Sequence, residues 1–144
     1  MGFYYDDAGN LHSALLDEQA RTDAESFVCV RDRKNKLNAN QLRRFYNECK
    51  KLEKRFSFAK QKHAGQANSA EAASHAAFLQ VLPLIKMLKA KVSYAANPSN
   101  PKIPQTFSDW LNRSIDGIDN EKDFEAFLLS FEAVVGYCYG VGIS

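Results

Sequence analysis

The residues of this chain best placed to do chemistry are arginines and lysines in the segment 38–56, NANQLRRFYNECKKLEKRF. Apolar residues recur there at every third or fourth position, which is the spacing of an amphipathic helix. At about 100° per residue, the apolar side chains share one face and the basic side chains form two adjacent lines on another. The first line is Arg43, Lys50 and Lys54, and the second is Arg44, Lys51 and Arg55. Such a basic face can bind a polyanion, and nucleic-acid phosphate is the commonest one.

The alternative is that this basic face is only the solvated side of a helix. Two features favour anion binding. Like charges three or four residues apart, such as Lys50 and Lys54, repel each other. The face is also almost entirely of one sign, whereas a surface selected for solubility alone mixes acids with bases. The basic character is also local: residues 31–63 contain twelve Lys or Arg and three acids, whereas residues 1–30 contain one Arg and six acids. We therefore predict an anion-binding face, and the solvated face remains the alternative.

A second group of lysines lies in the apolar run AFLQVLPLIKMLKAKVSYAA. Lys89 projects within the apolar sector of this helix, Lys86 borders that sector and Lys91 lies across it. A lysine in such a position snorkels to water, pairs with an acid, or contacts a partner. Pairing with the acidic C-terminal helix is one expectation, and extension of the basic face into a groove is the other.

The three histidines, His12, His63 and His75, form no catalytic or metal-binding pattern. None has a Cys, His or carboxylate at metal-ligand spacing. His63 continues the apolar line of its helix, which predicts a partly buried imidazole with a hydrogen-bond partner. The acidic run 116–125, DGIDNEKDFE, lacks the residue order of a calcium loop and is better explained by helix capping. We predict that the protein is not an enzyme and that it holds no metal and no cofactor.

Helical periodicity dominates the chain, and helix start signals precede the periodic runs at Ser13, Asn38, Asn68, Thr106 and Asn120. Asn38 with Gln41 has the sequence of a capping box. Pro83 is expected to kink or restart the helix that contains it. We predict an all-α fold, a single-domain bundle of about five helices over residues 1–144. An aromatic N-terminal arm occupies residues 1–12, and a Pro-rich loop occupies residues 97–105.

The composition is that of an ordinary globular protein, with 45% hydrophobic and 25% charged residues. Three cysteines without a C-x-x-C pair argue against a disulfide framework or a zinc knuckle. No apolar run approaches the ~20 residues that cross a bilayer, and the N-terminus lacks the pattern of a secretory signal. We expect a cytoplasmic protein that does not contact a membrane.

Four blocks of the sequence, in order, carry a family resemblance: FYYDDAGNLHSALLDEQA, LNANQLRRFYNECKKLEKRF, LPLIKMLKAKVSYAA and FEAFLLSFEAVVGYCYG. They resemble the small α-helical subunit of Csm-type (type III-A) CRISPR interference complexes. The resemblance implies a non-catalytic RNA-binding subunit, several copies of which line the inside of a ribonucleoprotein filament. The partners it implies are target RNA, guide RNA, other Csm subunits and copies of the same chain. The RNA-facing residues it implies are Arg43, Arg44, Lys50, Lys51, Lys54, Lys89 and Lys91.

The chain departs from this family pattern at one place. Similar proteins often continue the LKAKVSYAA block with glycine and arginine, whereas this chain has Ala96, Asn97 and Pro98, so an expected positive contact is missing. The segment 64–77 also looks like a local insertion.

On the predicted face, RNA contacts go to phosphates and are independent of the RNA sequence. Base stacking is a minor expectation, with Tyr46 the nearest aromatic residue. The alternative function is a helical protein–protein scaffold or adaptor whose basic face docks an acidic partner surface.

Overall fold

The computed structural model describes residues 2–29, 36–99 and 101–144, and within them the fold is all-α, as the sequence predicts. A short 3₁₀ helix, Ser13–Leu16, precedes five α-helices. These are α1 (Glu18–Val28), α2 (Ala39–Ala64), α3 (Ala70–Ala95), α4 (Gln105–Asp116) and α5 (Glu121–Gly140). The described residues contain no strand, only an isolated β-bridge between Tyr5 and Leu11.

Helix α2 begins with the predicted capping box. The Gln41 N–H donates to Asn38 Oδ1 at 2.9 Å, and the Asn38 N–H donates to Gln41 Oε1 at 3.3 Å. The helix ends at Gly65, its C-cap residue. The predicted apolar stripe of this helix is buried and consists of Leu42, Phe45, Cys49, Leu52 and Phe56. Because this stripe faces the core, the basic residues of α2 are left on its outer side.

Two predicted helix starts are displaced in the structure. Ser13 opens only the 3₁₀ helix, and α1 begins after Asp17, whose backbone (φ −129°, ψ −101°) is not helical. The start predicted at Asn68 falls one residue later, because the Ser69 hydroxyl accepts the Ala72 N–H at 3.0 Å. Adjacent residues that both suit an N-cap are not distinguished by spacing alone.

The prediction that Thr106 caps a helix is wrong, whereas the one for Asn120 is confirmed. Thr106 lies inside α4, and its hydroxyl donates to the Ser26 carbonyl oxygen at 3.3 Å. The N-cap residue of α4 is Pro104, which ends the Pro-rich loop. At the start of α5, the Asn120 side chain accepts the Asp123 N–H at 2.9 Å.

Helices α2 and α3 are antiparallel neighbours. Lys91, near the end of α3, donates to Glu48 in the first half of α2 at 3.0 Å, and His63 hydrogen-bonds to Gln80 at 3.0 Å farther along the pair. Pro83 lies inside α3, which continues from Ala70 to Ala95 without a restart. The two long helices therefore form one hairpin, and the groove between them runs along the outer side of α2.

An aromatic cluster joins α2, α4 and α5 in the hydrophobic core. The Phe131 ring meets the Trp110 ring edge-on at 5.1 Å between centroids and the Tyr46 ring at 5.6 Å. Phe45 and Phe107 add a further edge-on pair at 5.6 Å. Edge-to-face pairs of this kind stabilise a core beyond the burial of their area.

The N-terminal segment packs against α4 and α5. Tyr4 is fully buried, and its hydroxyl donates to the Ser114 carbonyl oxygen at 2.6 Å. The Tyr5 hydroxyl donates to the Lys122 carbonyl oxygen at 3.0 Å. A tight turn separates these aromatics from the 3₁₀ helix, with Gly9 in the left-handed region at φ +85°.

Candidate nucleic-acid interface

The two basic lines of α2 lie on different flanks of the helix. Arg43 belongs to the first line and faces α5, where its guanidinium donates to the Tyr139 hydroxyl at 3.0 Å. Arg44 belongs to the second line and borders a hollow between α2 and α3. We call these the α5-facing flank (Arg43, Lys50, Lys54) and the α3-facing flank (Arg44, Lys51, Arg55). The predicted basic face is therefore divided by the neighbours that tertiary packing places beside it.

The α5-facing flank has mixed charge. Lys50 forms an ion pair with Glu53 at 2.8 Å, and its ammonium lies 5.9 Å from the centre of the Tyr46 ring. The hydrogen bond to Glu53 raises the pKa of Lys50 above its ordinary value. Lys54 is exposed without an ion pair among the described residues, but the surface hollow that it lines also contains Glu125 of α5. Acids within the flank and across from it thus offset part of its positive charge.

The α3-facing flank keeps more of its positive charge. Among the described residues of this flank, Glu48 is the one acid. It accepts a hydrogen bond from Lys91 at 3.0 Å and lies 3.8 Å from Lys51. The hydrogen bond from Lys91 holds the pKa of Glu48 below its ordinary value. Arg44 and Arg55 are exposed, and neither has a hydrogen bond or ion pair in the described part of the chain. This flank therefore presents an uncompensated guanidinium at each end.

Of the three predicted lysines on α3, only Lys91 joins this flank. Lys89 pairs with Asp116 at 2.5 Å, so its acidic partner lies on α4 and not on the C-terminal helix that the sequence led us to expect. Lys86 is exposed and, three residues before Lys89, shares its side of the helix. Lys86 and Lys89 consequently do not extend the groove beside α2.

The groove contains two adjacent hollows, one on either side of the Glu48–Lys91 pair. The first, of about 410 Å³, is walled by Phe45, Ala90, Ala95 and Ile103 and rimmed by Arg44, Tyr94 and Lys102. The second, of about 280 Å³, lies between Arg55 and Lys51 on one side and the exposed apolar side chains of Leu84 and Met87 on the other. We call them the first and second hollow.

Sequence reasoning misses two residues of the first hollow, Tyr94 and Lys102. Tyr94 is 84% exposed, and Lys102 lies in the Pro-rich loop, where no helical spacing links it to the basic face. The loop returns to the end of α3 because the N–H groups of Lys102 and Ile103 both donate to the Ala95 carbonyl oxygen, at 2.7 and 3.3 Å. The backbone of Lys102 therefore lies against the end of α3, directly before residues 96–98, where the expected basic residue is absent.

His63 and the acidic run 116–125 make their contacts within the fold. His63 is partly buried and hydrogen-bonded to Gln80, as predicted. In the acidic run, Asp123 Oδ2 accepts the Asp119 N–H at 3.0 Å, which agrees with helix capping. Among the described residues, no three His, Cys, Asp or Glu side chains converge to hold a metal ion. The basic residues of the segment 31–35 lie outside the described residues.

Comparison with protein families shows that the Csm2 Type III-A family matches residues 11–140 of the chain. The chain belongs to this family. Membership implies a small subunit of the type III-A Csm complex that associates with other Csm subunits. Comparison with curated proteins and with solved structures found no match.

The Csm2 match bears out the resemblance carried by the four sequence blocks, and its range includes both basic lines, α3 and the loop that holds Lys102. None of the helices in the described part of the chain has the length and apolar character to span a membrane.

Proposed function

We propose that this Csm2-family subunit binds RNA without catalysing a reaction, and that its α3-facing flank carries the contact. The RNA is target and guide RNA held in the complex, and copies of the chain stack along it. The contacts go to phosphates and are independent of sequence, because lysine and arginine act as charges and forks and not as readers of bases. The α5-facing flank (Arg43, Lys50, Lys54) contributes secondarily, since acids lie close to it.

The observation that supports this proposal is the pair of unpartnered arginines, Arg44 and Arg55, at the two ends of the groove. They are eleven positions apart on one helix, which corresponds to about 16 Å along its axis. A strand laid along the groove therefore meets both guanidinium groups and the Lys51–Glu48–Lys91 group between them. Each phosphate neutralised there releases counterions, which favours binding at low salt.

The test is the salt dependence of RNA affinity for a variant that carries both Arg44→Gln and Arg55→Gln. Fluorescence anisotropy with a single-stranded RNA measures the affinity at several salt concentrations, for the isolated chain and for the assembled complex. We expect the slope of log affinity against log salt to become shallower by about 1.4, since each contact to a single strand contributes about 0.7.

Lys122→Gln is the matched control, because Lys122 is an exposed lysine in the acidic C-terminal part of the chain. It should leave both slope and affinity close to those of the unchanged chain. Equal slopes for the double variant and the unchanged chain would contradict the proposed RNA-binding surface.

A scaffold function is the second candidate, and the exposed apolar side chains of the second hollow favour it. Leu84 is 40% exposed and Met87 is 53% exposed, side by side on α3. Adjacent apolar side chains at a surface often mark a protein interface. If this function is the main one, a Leu84→Ser, Met87→Ser variant loses assembly with other Csm subunits while the double arginine variant keeps normal RNA affinity.

We also propose, on the basis of family membership, that the protein acts in the cytoplasm as a structural subunit and that RNA cleavage belongs to other members of the complex. Nuclease activity that co-purified with this chain and disappeared on substitution of His63 or His75 would contradict this assignment.

A further inference from the structure

We propose that the first hollow binds one unstacked nucleobase of the RNA strand, with the adjoining phosphates on Arg44 and Lys102. This inference rests on the proposed RNA-binding function and goes beyond it, because it assigns a base-contacting site to a surface otherwise expected to touch only phosphates. Tyr94 is the residue that distinguishes a nucleobase site from a surface that contacts only phosphates.

The shape and lining of the hollow suit a flat aromatic ligand. Its volume of about 410 Å³ lies in the range of small-ligand sites, roughly 300–1,000 Å³. Phe45 and Ile103 are buried core residues that form part of its wall, together with Ala90 and Ala95. In such sites the apolar wall contacts the flat face of the ligand, and the polar groups at the rim orient it.

Tyr94 supplies the stacking surface. Its side chain is 84% exposed, the largest exposed fraction of any large hydrophobic residue in the described chain, and it has no hydrogen bond or ring contact there. It borders the hollow from the last turn of α3. Bases stack on exposed aromatic rings irrespective of their identity, because every base has a π-face.

The charges around the hollow favour a phosphate-bearing ligand. Arg44 and Lys102 are exposed at its rim, and neither has an acidic partner among the described residues. Glu48 is the acid that lines the hollow, and it already faces both Lys51 and Lys91. The ends of α2 and α3 that border the hollow carry opposite partial charges, which offset each other. A cationic rim over an apolar wall fits a nucleotide better than an apolar side chain from a neighbouring protein.

The site is already formed in the isolated chain. The hydrogen bonds from the Lys102 and Ile103 N–H groups to Ala95 tie the loop to the end of α3. Binding therefore does not have to order this wall, which reduces the entropy that association costs.

The experiment compares a 20-nucleotide oligouridine with an abasic ribose-phosphate strand of the same length, using the isolated full chain and the reconstituted complex. We expect the unchanged chain to bind the base-bearing strand at least about fivefold more tightly than the abasic strand. Tyr94→Ala should remove most of this preference without changing the salt slope, because it removes a stacking ring and no charge. Tyr94→Phe should retain the preference.

Phe58→Ala is the matched control, because Phe58 is also a highly exposed aromatic residue, at 72%, but it lies on α2 outside the first hollow. It should preserve the preference for the base-bearing strand. A preference lost equally in Tyr94→Ala and Phe58→Ala, or retained in Tyr94→Ala, would overturn the assignment. So would a Tyr94→Ala variant that binds RNA normally but no longer assembles, because the hollow then holds a side chain of a neighbouring subunit.

The two proposals fail in different ways. If Arg44→Gln with Arg55→Gln leaves the salt slope unchanged, the RNA-binding surface itself is misplaced and the nucleobase site falls with it. If the slope becomes shallower as expected but the abasic strand binds as tightly as oligouridine, only the nucleobase site is wrong.

Discussion

The three cysteines have chemically identical side chains, but the extent of their burial differs widely. Cys29 is exposed after the end of α1, whereas Cys49 and Cys138 are fully buried on the apolar stripes of α2 and α5. Burial raises the pKa of both buried thiols, to about 12 for Cys138. Unfolding returns these thiols to their ordinary pKa, near 9, so the unfolded chain loses these protons first as the pH rises. The contribution of the buried thiols to stability is therefore complete below about pH 9 and declines above it.

We expect an alkylating reagent at pH 8 to modify Cys29 and to leave Cys49 and Cys138 unmodified. The thiolate is the reactive form, and burial both suppresses it and blocks access. Mass spectrometry of the labelled chain counts and locates the adducts. Cys29→Ser is the control, and it should take up no label until denaturant is added. Rapid modification of three thiols in the native chain would show that the core is not closed as described.

At the scale of the element, the start of α2 sets which way its basic lines point. The capping box between Asn38 and Gln41 fixes the first turn, and the buried residues Leu42 and Phe45 fix the rotation of the helix. The same helix then presents one basic line to α5 and the other to α3. A local cap and a stripe of buried side chains thus determine the position of charges two turns and more away.

We expect Asn38→Ala to lower the free energy of unfolding by about 1 kcal/mol, because it removes the side-chain acceptor of the Gln41 N–H. Urea unfolding followed by circular dichroism measures this change. Asn47→Ala makes the same substitution at an exposed position inside α2 and is expected to change stability by less than about 0.5 kcal/mol. A loss for Asn38→Ala no larger than for Asn47→Ala would show that the cap does not stabilise the helix.

At the scale of the whole molecule, we propose that residues 1–144 fold as a single domain. Buried residues from all five α-helices and from the N-terminal segment belong to one hydrophobic cluster within the described chain. Phe131 lies near the centre of this cluster, because its ring contacts rings from α2 and α4. A core shared in this way is expected to unfold in one cooperative transition.

We expect Phe131→Ala to lower the free energy of unfolding by about 3–5 kcal/mol, because it leaves a cavity where three helices meet. Urea titration with tryptophan fluorescence reports the transition through Trp110. Leu129→Ala truncates a 47% exposed side chain of the same helix and should cost far less. Two separate transitions, or similar losses for the two variants, would contradict a single core centred on Phe131.

The sequence by itself determined the all-α class, the apolar face of α2, the start of α5 and the family, because each depends on local spacing or on ordered motif blocks. The capping pattern at Asn38 and the stripe from Leu42 to Phe56 needed no knowledge of neighbouring helices. The helix start predicted at Asn68 falls at Ser69, because spacing does not distinguish adjacent residues that both suit an N-cap. Thr106 is not a cap, and its hydroxyl donates to the carbonyl oxygen of Ser26, far away in the sequence.

Only the tertiary structure decided which basic residues share a surface. Lys89 and Lys91 are two positions apart, yet one pairs with Asp116 of α4 and the other with Glu48 of α2. Tyr94 and Lys102 border one hollow with Arg44 because a loop folds back onto the end of α3. Periodicity locates the faces of a single helix, whereas the partner that each face meets depends on contacts between residues far apart in the chain, and those arise only when the helices pack.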